Sequence, residues 1–394
     1  MNIGLYMGRL DPQQGGGFTF QQQLLDAAIR GHGEHALFVF HYGPARHDTA
    51  PGITFVRLAD PISRIPLMRR ILDRLGRRRH PSILDRAAAG LGIDLMWFFD
   101  LGFEPVEIPY AYTVWDLEHR KQPYFPEVSH TGWTRDQRES LFRETLPGAS
   151  MILTGTECGR QEIVKFYGVD ERLVHVLPLP APPAAAIPAN ADGNIGRISI
   201  TAPYLFYPAQ FWPHKNHIVI LEALSLLRQQ GTAEFSAVFT GSDKGNLGYI
   251  RAQIARLGLE DTVHIPGFVS RDELAALYRG AFALVYPTLF GPDNLPPLEA
   301  FALGCPVLVA EIPGAREQLG AAPLYFSPTS ERDLAKAILG LSRNPVLRKR
   351  MIASGLARAR RWTADDYVQG FLSIAREFQS YRRCWDSGTG YVHT

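Results

Sequence analysis

The 394-residue chain has only three cysteines, Cys158, Cys305 and Cys384, far apart and with no Cys-x-x-Cys pair. That excludes a disulfide framework or a cysteine-based zinc site and fits a reducing cytosol. No apolar stretch approaches the roughly 20 residues that span a bilayer. The opening MNIGLYMGRL places Arg9 after a short apolar run and has no cleavage-type leader pattern. The expectation is a cytoplasmic protein, attached at most to the inner face of a membrane. A Gly-x-Gly-x-x-Gly fingerprint is also missing, so a nicotinamide-binding reading is weak. The two signs of charge nearly balance, for a net charge of +2, which by itself says little about partners; no nucleic-acid partner is expected.

What the chain does have is a repeated alternation of short apolar runs with helical stretches. A hydrophobic fraction of 46% and a charged fraction of 20% describe a globular protein, and the length suggests two domains. The runs 2–8, 35–43, 53–59, 94–100, 111–117, 151–156 and 174–180 are continuous rather than alternating. Strands buried on both faces of a parallel α/β sheet read this way. The stretch PLPAPPAAAIPANADGN (178–194) has no periodicity and reads as a linker. The pattern then restarts with runs at 204–210, 235–241, 263–268, 281–288, 306–311 and 324–328. The predicted architecture is therefore two doubly wound α/β domains. Residues 1–180 form the first, 181–203 the linker and 204–365 the second, and 366–394 form a helix and tail returning to the first. Ligands of such sheets bind beyond the carboxyl ends of the strands, so a cleft between the domains is the expected site.

Three stretches carry candidate chemistry. In FGPDNLPPLEAFALG (290–304), Asn294 can cap a helix whose first turn holds Pro296 and Pro297, where missing N–H groups cost nothing. The donors around Asn294 and Leu295 sit at the positive end of that helix and suit an anion. Glu299, one turn in, could accept from a ribose diol; a bare cap and a first-turn acid is an equally good account. In YPAQFWPHKNH (207–217), Asn216 can cap the next helix, and Lys215 projects beside it as a phosphate contact or as a solvated surface lysine. In QQGGGFTF (13–20), Gly15, Gly16 and Gly17 permit close ligand approach, or a plain flexible loop.

These motifs, in this order over nearly the whole chain, resemble the GT-B glycosyltransferases, specifically the large retaining family GT4 with its bacterial mannosyl- and glucosyltransferases of polysaccharide assembly. The resemblance implies a hexosyltransferase with a nucleotide-sugar donor and a glycan or polyprenyl-diphosphate-linked acceptor, without a metal; no Asp-x-Asp signature occurs. It implies that Glu299 binds the nucleotide ribose and Lys215 neutralises the diphosphate. It implies that Gly15, Gly16 and Gly17 lie near diphosphate and acceptor. Backbone amides of Asp293, Asn294 and Leu295 would hold the donor sugar and phosphate. Two positions depart from the family pattern: its first signature glutamate falls at Gly291, and the arginine paired with the lysine falls near Gln210. The family often carries a histidine after the strand in TVWDLEHRKQPYFPE (113–127). Its commonest position is Trp115 here, which makes His119, then Asp116, the expected cleft residues, with a structural histidine at the strand end as the other account. The resemblance leans toward a GDP-mannose-like donor and leaves uracil or guanine, and the sugar, open.

Two other classes stay in view. One is a nucleotide-sugar epimerase, which would need acid and base groups converging on one sugar. The other is a protein that binds a nucleotide sugar without transferring it. Finally, RIPLMRRILDRLGRRRH (64–80) spaces Ile65, Met68, Ile71, Leu72 and Leu75 among arginines. Such a helix either lies on an anionic membrane surface or packs on the domain core with its basic side in water.

Overall fold

A computed structural model describes residues 1–9, 16–43, 52–59, 81–99, 102–182, 200, 203–232 and 234–385. The basic stretch 64–80 and nearly all of the linker 181–203 lie outside these residues. Seven strands of the first half are β1 (Asn2–Arg9), β2 (Ala36–Tyr42), β3 (Ile53–Arg57), β4 (Leu95–Phe98), β5 (Tyr110–Thr113), β6 (Met151–Thr154) and β7 (Val174–Val176). They form one parallel sheet in the order β3-β2-β1-β4-β5-β6-β7. Six more are β8 (Tyr204–Pro208), β9 (Ser236–Thr240), β10 (Val263–Gly267), β11 (Ala283–Tyr286), β12 (Val307–Ala310) and β13 (Leu324–Phe326). Their sheet is also parallel, in the order β10-β9-β8-β11-β12-β13. The fold is GT-B: two Rossmann-like sheets, each with helices over its faces.

The continuous apolar runs explain this arrangement. Every residue of β4, β5, β6, β11 and β12 is buried, as expected where helices cover both faces of a sheet. Successive side chains feed separate cores. Leu5, Trp97 and Ala111 enter one with Phe20 and Leu24, while their neighbours Tyr6, Phe98 and Tyr112 enter another with Phe142 and Leu146. The strand order reverses beside β1 in the first sheet and beside β8 in the second, and such switch points open a crevice at the carboxyl edge.

The helix Ala364–Arg382, which follows the second domain in sequence, packs on the first-domain helix Gly16–Gly31. The Trp97 and Phe371 rings stack with centroids 3.7 Å apart. Phe20 meets Tyr367 edge-on at 5.6 Å, and Gln369 donates to the Gly31 carbonyl at 2.7 Å. A second tie is made by the Trp362 indole N–H, which donates to the Pro178 carbonyl at 2.7 Å. The chain thus crosses between the domains twice. No helix among the described residues is long and apolar enough to cross a membrane.

Candidate functional site

The residues singled out in the second domain come together at the carboxyl ends of the adjacent strands β8 and β11. Lys215 ends a short 3₁₀ turn, Pro213–Lys215, that follows β8. Its ammonium donates to the Tyr286 hydroxyl at 3.2 Å and lies 5.5 Å from that ring's centroid. The same hydroxyl, at the end of β11, donates to Asn294 Oδ1 at 2.7 Å. Tyr286 therefore joins the lysine to the N-terminus of the helix Leu295–Ala302. Glu299 lies one turn into that helix. Its Oε2 accepts from the buried Tyr278 hydroxyl at 2.7 Å, which leaves Oε1 without a partner among the described residues. Burial raises the Glu299 pKa, while the Tyr278 bond and Arg271 pull it back.

Two capping expectations are corrected. Asn294 occupies the cap position, but its side chain makes no cap bond; its amide donates instead to the Gly291 carbonyl at 2.8 Å. Gln318 holds the Asn294 backbone from both sides, accepting from its N–H at 3.1 Å and donating to its carbonyl at 3.0 Å. The Asn294 amide is thereby engaged within the protein. With Pro296 and Pro297 lacking N–H groups, the first-turn donors that remain are those of Leu295 and Leu298. Asn216 likewise caps nothing: it is left-handed (φ 54°) and donates to the Pro287 and Pro328 carbonyls. Local rules favoured a cap at both positions, yet other amide bonds win: Asn294 turns back to Gly291 in its own loop, and Asn216 reaches two distant loops.

Gly291, where the resemblance puts a glutamate, has φ +105°, a backbone state that side chains rarely adopt. The loop is organised around Asn294 rather than around an acid at 291. Gln210 accepts from the Trp212 indole N–H at 3.0 Å, so its amide is used in shaping the turn before Lys215.

On the first-domain side, Gly15 lies outside the described residues. Gly16 and Gly17 are not a loop: they open the helix Gly16–Gly31 at the carboxyl end of β1. A Cβ on Gly17 would stand 2.9 Å from the Trp115 indole, which follows β5. Asp116 is partly exposed. Its Oδ1 accepts from the Glu118 N–H at 3.0 Å and lies 3.8 Å from Arg138.

His119 is corrected as a cleft residue. Its side chain is fully buried, stacks on Phe142 and approaches Tyr167 and Glu139 at 3.2 and 3.4 Å. Burial, with Arg138 nearby, pushes its pKa down to about 4. It is a neutral core histidine. The spacing from the strand was right for a loop residue, but the helix Glu118–Lys121 turns position 119 inward.

The two carboxyl edges face each other in contact. Leu295 of the second domain is buried in a first-domain core. The Asp293 carboxylate reaches Gly155, just past β6, so closely that a Cβ there would lie 1.9 Å from Asp293 Oδ2. Burial, then the charge of Glu317, pushes Asp293 up to about 7, against a bond from the Gly155 N–H. Glu317 accepts from the Glu157 and Cys158 N–H groups at the start of the helix Glu157–Tyr167, a favourable end for a carboxylate. Glu127 accepts from the His214 N–H at 2.8 Å and from its ring Nδ1–H. Sequence reading missed Tyr286, Gln318, Glu127 and His214. The FPE of 125–127 and the PHK of 213–215 were visible, but nothing local pairs them across 87 residues.

Comparison with known proteins follows the same division. Residues 194–358 match the family model of glycosyl transferases group 1. An O-antigen chain mannosyltransferase B of Escherichia coli is 25% identical over 248 residues, covering 61% of this chain and 64% of that protein's length. Among solved structures, sucrose-phosphate synthase of Thermosynechococcus elongatus superposes with a TM-score of 0.73 at 17% identity, covering 97% of this chain and 100% of that one. Anabaena HepE in complex with UDP-glucose superposes with a TM-score of 0.67 at 17% identity, over 96% and 100% of the two chains. At this identity the superpositions speak for the GT-B fold.

Proposed function

We propose that this chain, with its match to glycosyl transferases group 1 and its GT-B frame, is a retaining hexosyltransferase. It moves a sugar from a GDP- or UDP-sugar to a glycan or lipid-linked glycan in the assembly of a cell-surface polysaccharide. The observation that carries the reading is the Lys215–Tyr286–Asn294 chain, which sets one cation beside one helix N-terminus at the carboxyl ends of β8 and β11. A departing nucleoside diphosphate needs this kind of fixed positive environment, since charge develops on it as the glycosidic bond breaks. Glu299 Oε1 takes the ribose hydroxyls, Lys215 the diphosphate, and the Leu295 amide its neighbouring oxygens. No metal enters the reading. The leaving phosphate accepts the acceptor's proton on the same face that is attacked, so the protein need supply no nucleophile. The closed cleft keeps water from the donor.

The relative named for O-antigen mannosyl transfer favours a polysaccharide acceptor, and the neighbour that holds UDP-glucose favours a nucleotide-sugar donor. GDP-mannose is the first donor to try. In this reading the protein works at the cytoplasmic face, with residues 64–80 against anionic lipid; flotation with anionic vesicles, lost at high salt, tests that part. The activity itself is tested by nucleoside diphosphate release from a panel of nucleotide sugars with a lipid-linked glycan present. Binding without release would favour a protein that only holds the donor.

A further inference from the structure

We propose that Glu127, a first-domain carboxylate, is the positioning residue that sets the Lys215 turn when the two domains close. The inference rests on the reading of Lys215 as a donor-phosphate contact.

The turn Pro213–Lys215 is held from both domains. On the second-domain side, the Leu289 N–H donates to the His214 carbonyl at 2.9 Å, and the Tyr207 hydroxyl donates to the Lys215 carbonyl at 2.7 Å. The remaining polar groups of His214 point the other way. Its backbone N–H and ring Nδ1–H both donate to one oxygen, Oε1 of Glu127, in the first-domain helix Pro126–Ser129. The ring lies flat on Phe290, with centroids 4.0 Å apart, and Phe290 in turn meets Phe125 of the first domain at 5.3 Å. Glu127 and His214 side chains are only 4% and 10% exposed, so the whole contact is dry.

Dryness makes the contact conditional. In an open form Glu127 would be solvated at no cost. Closing strips that water, and a carboxylate so stripped must find hydrogen bonds or resist closure. Its Oε2 has no partner among the described residues. Arg138, itself beside Asp116, contributes only through its charge. The two bonds at Oε1 are therefore the compensation, and they form only when His214 presents both N–H groups in one direction. That orientation is the one that aims the next residue, Lys215, at Tyr286. Closure and placement of the lysine become a single event, with the acceptor domain supplying the residue that enforces it. Burial, together with the neighbouring Lys215 charge, keeps His214 neutral, so its ring is a fixed donor at neutral pH.

The test compares wild type with Glu127→Ala and Glu127→Gln; the glutamine keeps an oxygen that can accept both bonds. Three quantities are measured: turnover with a nucleotide sugar and acceptor, affinity for GDP and UDP alone, and amide hydrogen exchange of residues 209–217. Glu127→Ala is expected to lower kcat at least about tenfold, the effect of a misplaced catalytic charge. It should weaken GDP and UDP affinity together with kcat and speed exchange in 209–217, while Glu127→Gln restores kcat to within about threefold. A merely structural role would lower melting temperature while leaving kcat, affinity and exchange of 209–217 unchanged in the folded variant. Unchanged kcat and unchanged exchange in Glu127→Ala would overturn the inference. So would a loss that the glutamine fails to restore. If wild type releases no diphosphate, the transferase reading fails, and the exchange of 209–217 still decides whether Glu127 orders the turn.

Discussion

Lys215 and Asn294, 79 positions apart in the chain, meet on one hydroxyl: Tyr286 accepts from the lysine at 3.2 Å and donates to the asparagine at 2.7 Å. The parallel pairing of β8 with β11 brings their carboxyl ends side by side, so a cation from one loop and a helix N-terminus from the next converge. The arrangement needs no contribution from the departed arginine position, since Gln210 is occupied with Trp212.

Lys215→Ala should lower kcat by roughly 10²-fold, the scale seen when one preorganised charge or donor is removed from a transition state. Lys215→Arg should recover only part, because the fork does not reproduce a point charge beside Tyr286. Steady-state diphosphate release measures both. A rate within a factor of about two of wild type for the alanine variant would remove Lys215 from the chemistry.

Glu299→Ala should weaken donor binding about tenfold, the loss of one charge-assisted hydrogen bond to a ribose. The effect should appear equally for a nucleoside and its diphosphate sugar, because the contact is to the ribose. Calorimetric titration tells the two apart. Weakening confined to the sugar-bearing ligand would place Glu299 elsewhere.

Asp293 predicts a pH dependence of stability. Its folded pKa of about 7, set by burial and by Glu317, lies above the ordinary carboxylate value. The folded state then binds the proton more tightly than the unfolded state. The stabilisation is full below the unfolded pKa of about 4 and is lost as pH rises through about 7. The other groups facing it are the Gly155 N–H and Tyr367. Asp293→Asn mimics the neutral acid, so the fall in melting temperature between about pH 4 and pH 7 should be smaller in the variant. An identical fall in both proteins would show that Asp293 is already ionised in the closed form.

His119→Ala should destabilise by about 2–3 kcal/mol, through the space left against Phe142 and the lost bond to Tyr167. Below its melting temperature it should keep wild-type kcat. Denaturation and rate measurements on one preparation separate the outcomes, and a collapsed kcat in a folded variant would return His119 to the cleft.

The fold was legible because burial on both sheet faces writes itself as unbroken apolar runs; β4 and β12, for example, stand out as LMWF and VLVA. Lys215, Asn294 and Glu299 could be singled out because turn formers and prolines mark the loops that carry them. What those side chains do was not legible. Asn294 and Asn216 look like caps from their neighbours in sequence, but their amides answer to Gly291, Pro287 and Pro328. Tyr286 reads as one more aromatic in a strand until β8 is placed beside it. Glu127 and His214 gain meaning only when two separately folded sheets face each other. Such pairings depend on domain placement, and no periodicity encodes that.

The most direct measurement of the central claim is diphosphate release by the purified protein from GDP-mannose and other nucleotide sugars, with and without a lipid-linked glycan, alongside Lys215→Ala. The account predicts acceptor-dependent release by wild type that the alanine variant loses. Saturable binding of a nucleotide sugar with no release, acceptor present, would contradict it.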